Sequence, residues 1–161
     1  MSSSMGRVAS LHLHPVKGGE PLRTVEQIEL VEQKGIVGNG RYFGRVSHSS
    51  GQPSKRQVTL IEREQISEHA AALGLETISP GAVRSNIETL GVNLIELVGR
   101  EVRVGSATLF FYEARTPCEK MDRICDGLRA LMEDQRQGVL AQVVRGGVVR
   151  VGDMIEPVLH A

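Results

Sequence analysis

The residues best suited to chemistry in this chain lie in one short run, Arg115-Thr116-Pro117-Cys118-Glu119-Lys120. Pro117 fixes its own φ and pushes Thr116 toward an extended conformation, so the Cys118 thiol arrives at a stiff, defined place. Arg115 and Lys120 put positive charge within local reach of that sulfur, and positive charge favours thiolate over thiol. A cysteine presented this way suits a soft anionic metal ligand or a nucleophile. The competing reading is a small buried hydrophobe, the ordinary role of a free cysteine. Arg84 and Asn86, two residues apart, form a second candidate pair. In an extended segment they share a face, where Arg84 could clamp a phosphate and Asn86 could hydrogen-bond beside it.

Other candidates carry less. His12 and His14 have the i, i+2 spacing of a strand face that can hold a metal, but no third ligand sits at a recognisable spacing, so two half-exposed strand histidines are expected. Pro15-Val16-Lys17-Gly18-Gly19 holds Lys17 beside flexible backbone without the frame of a Walker loop. Gly35, Gly38, Gly40 and Gly44 mark backbone that bends through unusual φ or closely approaches something. No helical period follows them, so they are not a dinucleotide fingerprint.

The elements that must position these residues read mostly as strands. Residues 107–112 alternate as a strand ending at Arg115, paired as a hairpin with 101–105 through a turn near Gly105-Ser106. Further strands are predicted over 8–13, 25–31, 56–61 and 138–144, an extended segment over 82–88, and a turn at 145–147 after which 148–153 leads into 154–157. Residues 62–74 form an amphipathic helix closed by Gly74, 126–137 a second helix through Leu128, Leu131 and Met132, and 91–99 a short one. Strands joined by turns predict a β-rich, barrel-like domain with two or three covering helices, spanning 1–161 as one unit.

Composition narrows the partners. Nineteen basic residues equal nineteen acidic ones, and aromatic residues are scarce, which argues against nucleic acid and against an anionic membrane. No apolar run reaches transmembrane length, and the first residues lack the regions of a signal peptide. Cys118 and Cys125 are too few for a disulfide scaffold. On a helix they would stand about 10 Å apart, too far to bridge. Free thiols in a reducing cytoplasm are expected.

Several stretches together resemble the MOSC domain, named for its place at the C-terminus of molybdenum cofactor sulfurases. They are Gly35-Ile36-Val37-Gly38, Arg56-Gln57-Val58-Thr59-Leu60, Pro80-Gly81 with Arg84-Ser85-Asn86-Ile87-Glu88, Gly105-Ser106-Ala107, Arg115-Thr116-Pro117-Cys118, and Gly146-Gly147 with Gly152-Asp153. The resemblance is strongest over 35–153, and Pro15-Val16-Lys17 is similar to the family's opening segment. It implies a β-barrel-like fold, with Cys118 the family cysteine that binds molybdenum in members carrying molybdenum cofactor (molybdopterin). It also implies Arg84 at the pterin phosphate with Asn86 beside it, Lys17 as a second cation, and Thr116 and Arg115 lining the approach to the metal. Asn39 departs from the pattern, because family members often carry aspartate there.

Three functions follow from this resemblance. The first is a cofactor-dependent reductase of N-hydroxylated small molecules, with Cys118 as metal ligand and a separate electron-transfer protein, since no flavin or iron–sulfur pattern is present. The second is a sulfur carrier, in which Cys118 takes persulfide sulfur from a cysteine desulfurase. The third is a non-catalytic binding module.

Overall fold

The computed structural model describes residues 6–159. Its frame is a closed barrel. Strands β1 (Gly6–Leu13), β5 (Val58–Glu62), β6 (Ile87–Leu90), β7 (Glu101–Val104), β8 (Ala107–Ala114), β9 (Val139–Arg145) and β11 (Met154–Pro157) pair in the order β11-β7-β8-β9-β5-β6-β1. Pairing of Gly6 with Ile155 then closes the ring from β1 back to β11. All the ladders are antiparallel except β5 with β6, which run parallel. That parallel step needs a crossover, and the helix α1 (Arg63–Ala72) provides it. A short strand β2 (Arg23–Val25) extends the sheet beside β1, while β3 (Gln27–Val31), β4 (Gly35–Ile36) and β10 (Gly147–Arg150) form a separate three-stranded sheet.

The alternation read from the sequence fills the barrel. Val8, Leu11, Leu60, Val102, Val104, Leu109, Phe111, Val139, Ala141 and Val143 all lie in its core, and Ile28, Leu30, Ile36 and Val149 of the small sheet join the same cluster. Closure removes the sheet edges that would otherwise present unpaired backbone. Gly138 shows how tight this packing is: a Cβ there would lie 1.9 Å from the Leu60 carbonyl oxygen.

A second apolar cluster forms around Ile61: Ile66 and Ala70 of α1, Ile78 and Val83, Met121, Leu128 and Met132. It brings Val83, next to Arg84, and Met121, three residues after Cys118, onto one patch. Helix α1 buries Ile66, His69 and Ala70 at i, i+3, i+4. It stops as Leu75 N–H bonds to the Ala70 carbonyl and Gly74 N–H to that of Ala71, a Schellman closure with Gly74 at φ +73°.

Three expectations change. Residues 25–31 are two strands, because β2 pairs with β1 while β3 leaves the barrel for β10. Residues 82–84 are a turn, in which Arg84 N–H bonds to the Gly81 carbonyl and Arg84 adopts φ +66°. Extended backbone resumes at Ile87. The helix predicted over 126–137 shrinks to α3 (Leu128–Leu131), and a short helix that the sequence did not suggest, α2 (Lys120–Ile124), precedes it. Cys125 is extended and Gly127 takes φ +89° between them, so the helical spacing assumed for the two cysteines does not apply. No helix among the described residues is long and apolar enough to cross a membrane.

Candidate functional site

The end of β8, the turn before β6 and the loops after β1 and β4 surround a cleft of about 910 Å³. Cys118, Thr116, Pro117 and Arg115 line one side of it, and Arg84 contributes from the turn before β6. Arg41, Tyr42 and Arg45 line it from the glycine-rich loop, Arg56 from the residues before β5, and Lys120 and Arg123 from α2. Among the described residues, seven cations therefore face this space and no aspartate or glutamate does. The balanced composition concealed a strongly segregated charge. Its cleft suits an anion.

Arg84 and Arg115 are each held by specific contacts. The buried Glu88 carboxylate accepts from Arg63 Nη1 at 3.0 Å and from Gly81 N–H at 2.8 Å, which fixes the turn that carries Arg84. Arg63 also donates to the Ile78 carbonyl in the same turn. Arg84 Nη1 reaches the Glu20 carbonyl at 3.0 Å, tying the turn to the loop after β1. Arg115 is buried, and its Nη1 donates to Ser85 Oγ at 3.1 Å and to the Arg84 carbonyl at 3.4 Å. Burial, followed by the Arg56 charge, lowers the Arg115 pKa to about 10, while Tyr42 and Cys118 oppose that shift. Arg115 stays protonated at neutral pH.

Tyr42 sits at the centre of the cationic wall. The Arg41 and Arg56 guanidinium carbons lie 5.3 Å and 5.4 Å from its ring centre. Arg41 Nη2 donates to its hydroxyl at 3.4 Å, and the His14 ring stands 4.7 Å away, tilted by 56°. Burial tends to raise the Tyr42 pKa, but the Arg41 hydrogen bond and the charges of Arg56, Arg41 and Arg115 outweigh it and bring it below the ordinary value. His14 is driven down to about 3 by burial and then by Arg84, Arg115, Arg56 and Arg41. It is a neutral imidazole throughout the physiological range.

Glycine makes the loops meet. Gly40, at φ +55°, would place a Cβ 2.4 Å from the Pro15 carbonyl oxygen, so no larger residue fits where the glycine-rich loop crosses the loop after β1. Asn39 stands at the same crossing, buried, with its Oδ1 accepting from His14 N–H at 2.8 Å and Asn86 Nδ2 at 3.0 Å.

The predicted residues are distributed as follows. Arg84, Arg115, Thr116 and Cys118 share the cleft, with Thr116 and Cys118 exposed. Lys17 is exposed on the loop whose neighbouring Val16 and Gly18 line the cleft, without lining it itself. Asn86 lies inside the barrel wall, where its Oδ1 accepts from Thr59 N–H and Thr59 Oγ1, both at 3.1 Å. Its Nδ2 donates to the His12 carbonyl and to Asn39, both at 3.0 Å. All its amide capacity is spent on protein. His12 and His14 are both buried: His12 Nδ1 donates to the Ser85 carbonyl at 2.9 Å, and only His14 reaches the cleft. No group of three or more His, Cys, Asp or Glu side chains placed to hold a metal occurs among the described residues.

Sequence reasoning missed Arg41, Tyr42, Arg45, Arg56 and Arg123. The available signal was an Arg-Tyr pair inside the glycine-rich loop, whose close approach to something had been anticipated.

A family model described as "MOSC domain" matches residues 18–156. No curated protein matches the chain. Among solved structures, the YUAD protein from Bacillus subtilis superposes with a TM-score of 0.78 at 17% identity, covering 98% of this chain and 97% of that one. YiiM from Escherichia coli gives 0.68 at 20% identity, covering 96% and 71%. YiiM from Geobacillus stearothermophilus gives 0.70 at 16% identity, covering 96% and 75%. At these identities the likeness is one of fold.

Proposed function

The chain belongs to the MOSC domain family, and on that premise we propose that its cleft binds molybdenum cofactor, with Cys118 as the thiolate ligand of the metal. The observation that carries this reading is the convergence of seven cations and no carboxylate around an exposed thiol. A phosphate-bearing ligand with a soft metal matches both halves of that donor set. Arg84, projecting from a turn braced by Glu88, is placed to take the phosphate, and Lys17 can reach in from the loop beside it. Arg115 holds the Arg84 turn and the Cys118 loop in register. Asn86 acts from behind, fixing β1, β5 and the turn before β6 together rather than touching ligand.

When bound, the cofactor would supply two-electron redox chemistry, and the substrate class we propose is an N-hydroxylated small molecule. Electrons would come from a separate redox protein. Two free cysteines support a reducing compartment. The exposure of Cys118 also favours a second reading, in which it accepts persulfide sulfur from a cysteine desulfurase and passes it on.

Metal and sulfur analysis separates the two. Protein purified anaerobically from cells that make molybdenum cofactor is expected to carry near-stoichiometric molybdenum, lost in Cys118→Ser and retained in Cys125→Ser. Labile sulfur on Cys118 without molybdenum would transfer the assignment to the carrier. Neither molybdenum nor sulfur would sink both.

A further inference from the structure

Reduction of an N-hydroxylated compound consumes protons as well as electrons: R–NH–OH with two electrons and two protons gives R–NH₂ and water. Hydroxide is a poor leaving group, and protonating the departing oxygen eases cleavage of the nitrogen–oxygen bond, so an acid facing the substrate would serve the step. The cleft offers few. No aspartate or glutamate lines it, and Asn39 at its back is an amide. His14 is neutral, hemmed in by Arg84, Arg115, Arg56 and Arg41, and has no proton of ordinary acidity to give. Arg115 is buried with its Nη1 spent on Ser85 Oγ and the Arg84 carbonyl, the other arginines are too weak as acids, and Cys118 is committed to the metal under the reading above. Tyr42 and Lys120 remain.

Resting on that reading, we propose that Tyr42 is the general acid of the cleft, its phenol delivering a proton to the hydroxyl oxygen as the nitrogen–oxygen bond breaks. The leaving group departs as water, the two electrons come from the reduced redox protein, and the second proton reaches nitrogen from solvent. Solvent then reprotonates the phenolate. The surroundings of Tyr42 are built for that cycle. Its hydroxyl lies 3.4 Å from Arg41 Nη2, and both Arg41 and Arg56 stand over its ring, so the anion left after donation is formed among cations. The groups facing it are Arg41 on its own loop, His14 from the end of β1, Arg56 before β5 and Arg115 after β8. None of these is acidic. Lys120 instead lies exposed at the start of α2.

The test uses cofactor-loaded protein with a chemical or protein electron donor and an N-hydroxylated substrate. Tyr42→Phe is expected to lower kcat by about 100-fold or more, with a smaller change in KM, and to remove the fall in rate at alkaline pH expected of the wild type. That alkaline fall should persist in Lys120→Gln. Full kcat with an unchanged pH profile in Tyr42→Phe overturns the role while leaving the reductase assignment standing, as does loss of the alkaline fall in Lys120→Gln alone. A wild type that turns over no such substrate overturns the reductase assignment and the role together. A second readout needs no cofactor. The chain has two tyrosines and no tryptophan, and burial pushes Tyr112 up to about 12. Phenolate ultraviolet absorbance should therefore show one early step below the usual tyrosine range, missing in Tyr42→Phe. Two late steps would overturn the proposal.

Discussion

Arg115 Nη1 and Ser85 Oγ lie 3.1 Å apart, both residues buried, and this contact, with a longer one of 3.4 Å to the Arg84 carbonyl, joins the strand end that carries Cys118 to the turn that carries Arg84. The candidate ligand and the candidate phosphate clamp are thus set relative to each other by a side-chain bond between residues 30 apart in sequence. Ser85→Ala should cost about 1.5–3 kcal/mol of stability, the range for a hydrogen bond to a charged group. It should also weaken anion binding without removing any cation from the cleft. Urea unfolding and phosphate titration of the same variant check both effects, and unchanged values in both would reduce the contact to an incidental one.

Arg84 combines an exposed functional head with an unfavourable backbone, φ +66°. Replacing it separates the two. Arg84→Ala and Arg84→Gly should both lose about 1.5–3 kcal/mol of affinity for a phosphate-bearing ligand. Arg84→Gly should be the more stable of the pair by about 1 kcal/mol, because glycine occupies the left-handed region without a Cβ clash. Equal stabilities would mean that the turn relaxes on substitution.

His14 makes stability depend on pH in a defined window. Its folded pKa, about 3, lies below the ordinary histidine value of 6.5, so between these values the unfolded chain binds a proton that the folded chain excludes. Stability from this group is full above about pH 6.5 and declines as pH falls toward 3, by up to about 1.4 kcal/mol per unit. His14→Phe, which keeps a ring beside Tyr42, should flatten that slope in urea midpoints measured across the range. Parallel curves for the two proteins would contradict the burial of a neutral imidazole.

The amide pair Asn39 and Asn86 should respond very differently to mutation. Asn39→Asp keeps the Oδ1 that accepts from His14 and Asn86, so the fold should persist. The added carboxylate should lower the affinity of the cleft for inorganic phosphate. Asn86→Ala strands Thr59 N–H, the His12 carbonyl and Asn39 inside the wall, and should cost more than about 3 kcal/mol. Denaturant unfolding distinguishes these outcomes directly.

What could be read from the sequence was what local pattern controls. The alternation of β8, the glycine-closed α1 and the stiff Thr116-Pro117-Cys118 loop each carry their signal within a few residues. Helix α2 and its break from α3 were missed because Leu128, Leu131 and Met132 mark only the second of the two, while extended Cys125 and left-handed Gly127 set the junction before them through backbone conformation. The cationic wall was missed for a different reason. Arg41, Arg56, Arg84, Arg115 and Arg123 come from five separate segments, and only barrel closure places them around one space. The extended reading of Arg84 failed because its turn is imposed from outside, by Glu88 reaching back to Gly81.

The seam between β1 and β11 carries a kinetic consequence. Gly6 pairs with Ile155, so the contact that closes the barrel spans nearly the whole described chain. Such a high contact order predicts slow folding, limited by a late search for the seam rather than by the local hairpin of β7 and β8. During synthesis at about 5–20 residues per second, β1 must wait for β11 with one edge unpaired, which is the period of greatest exposure to misassociation. The cleft, which needs loops from both halves of that ring, becomes competent to hold a ligand only after the last ladder has formed.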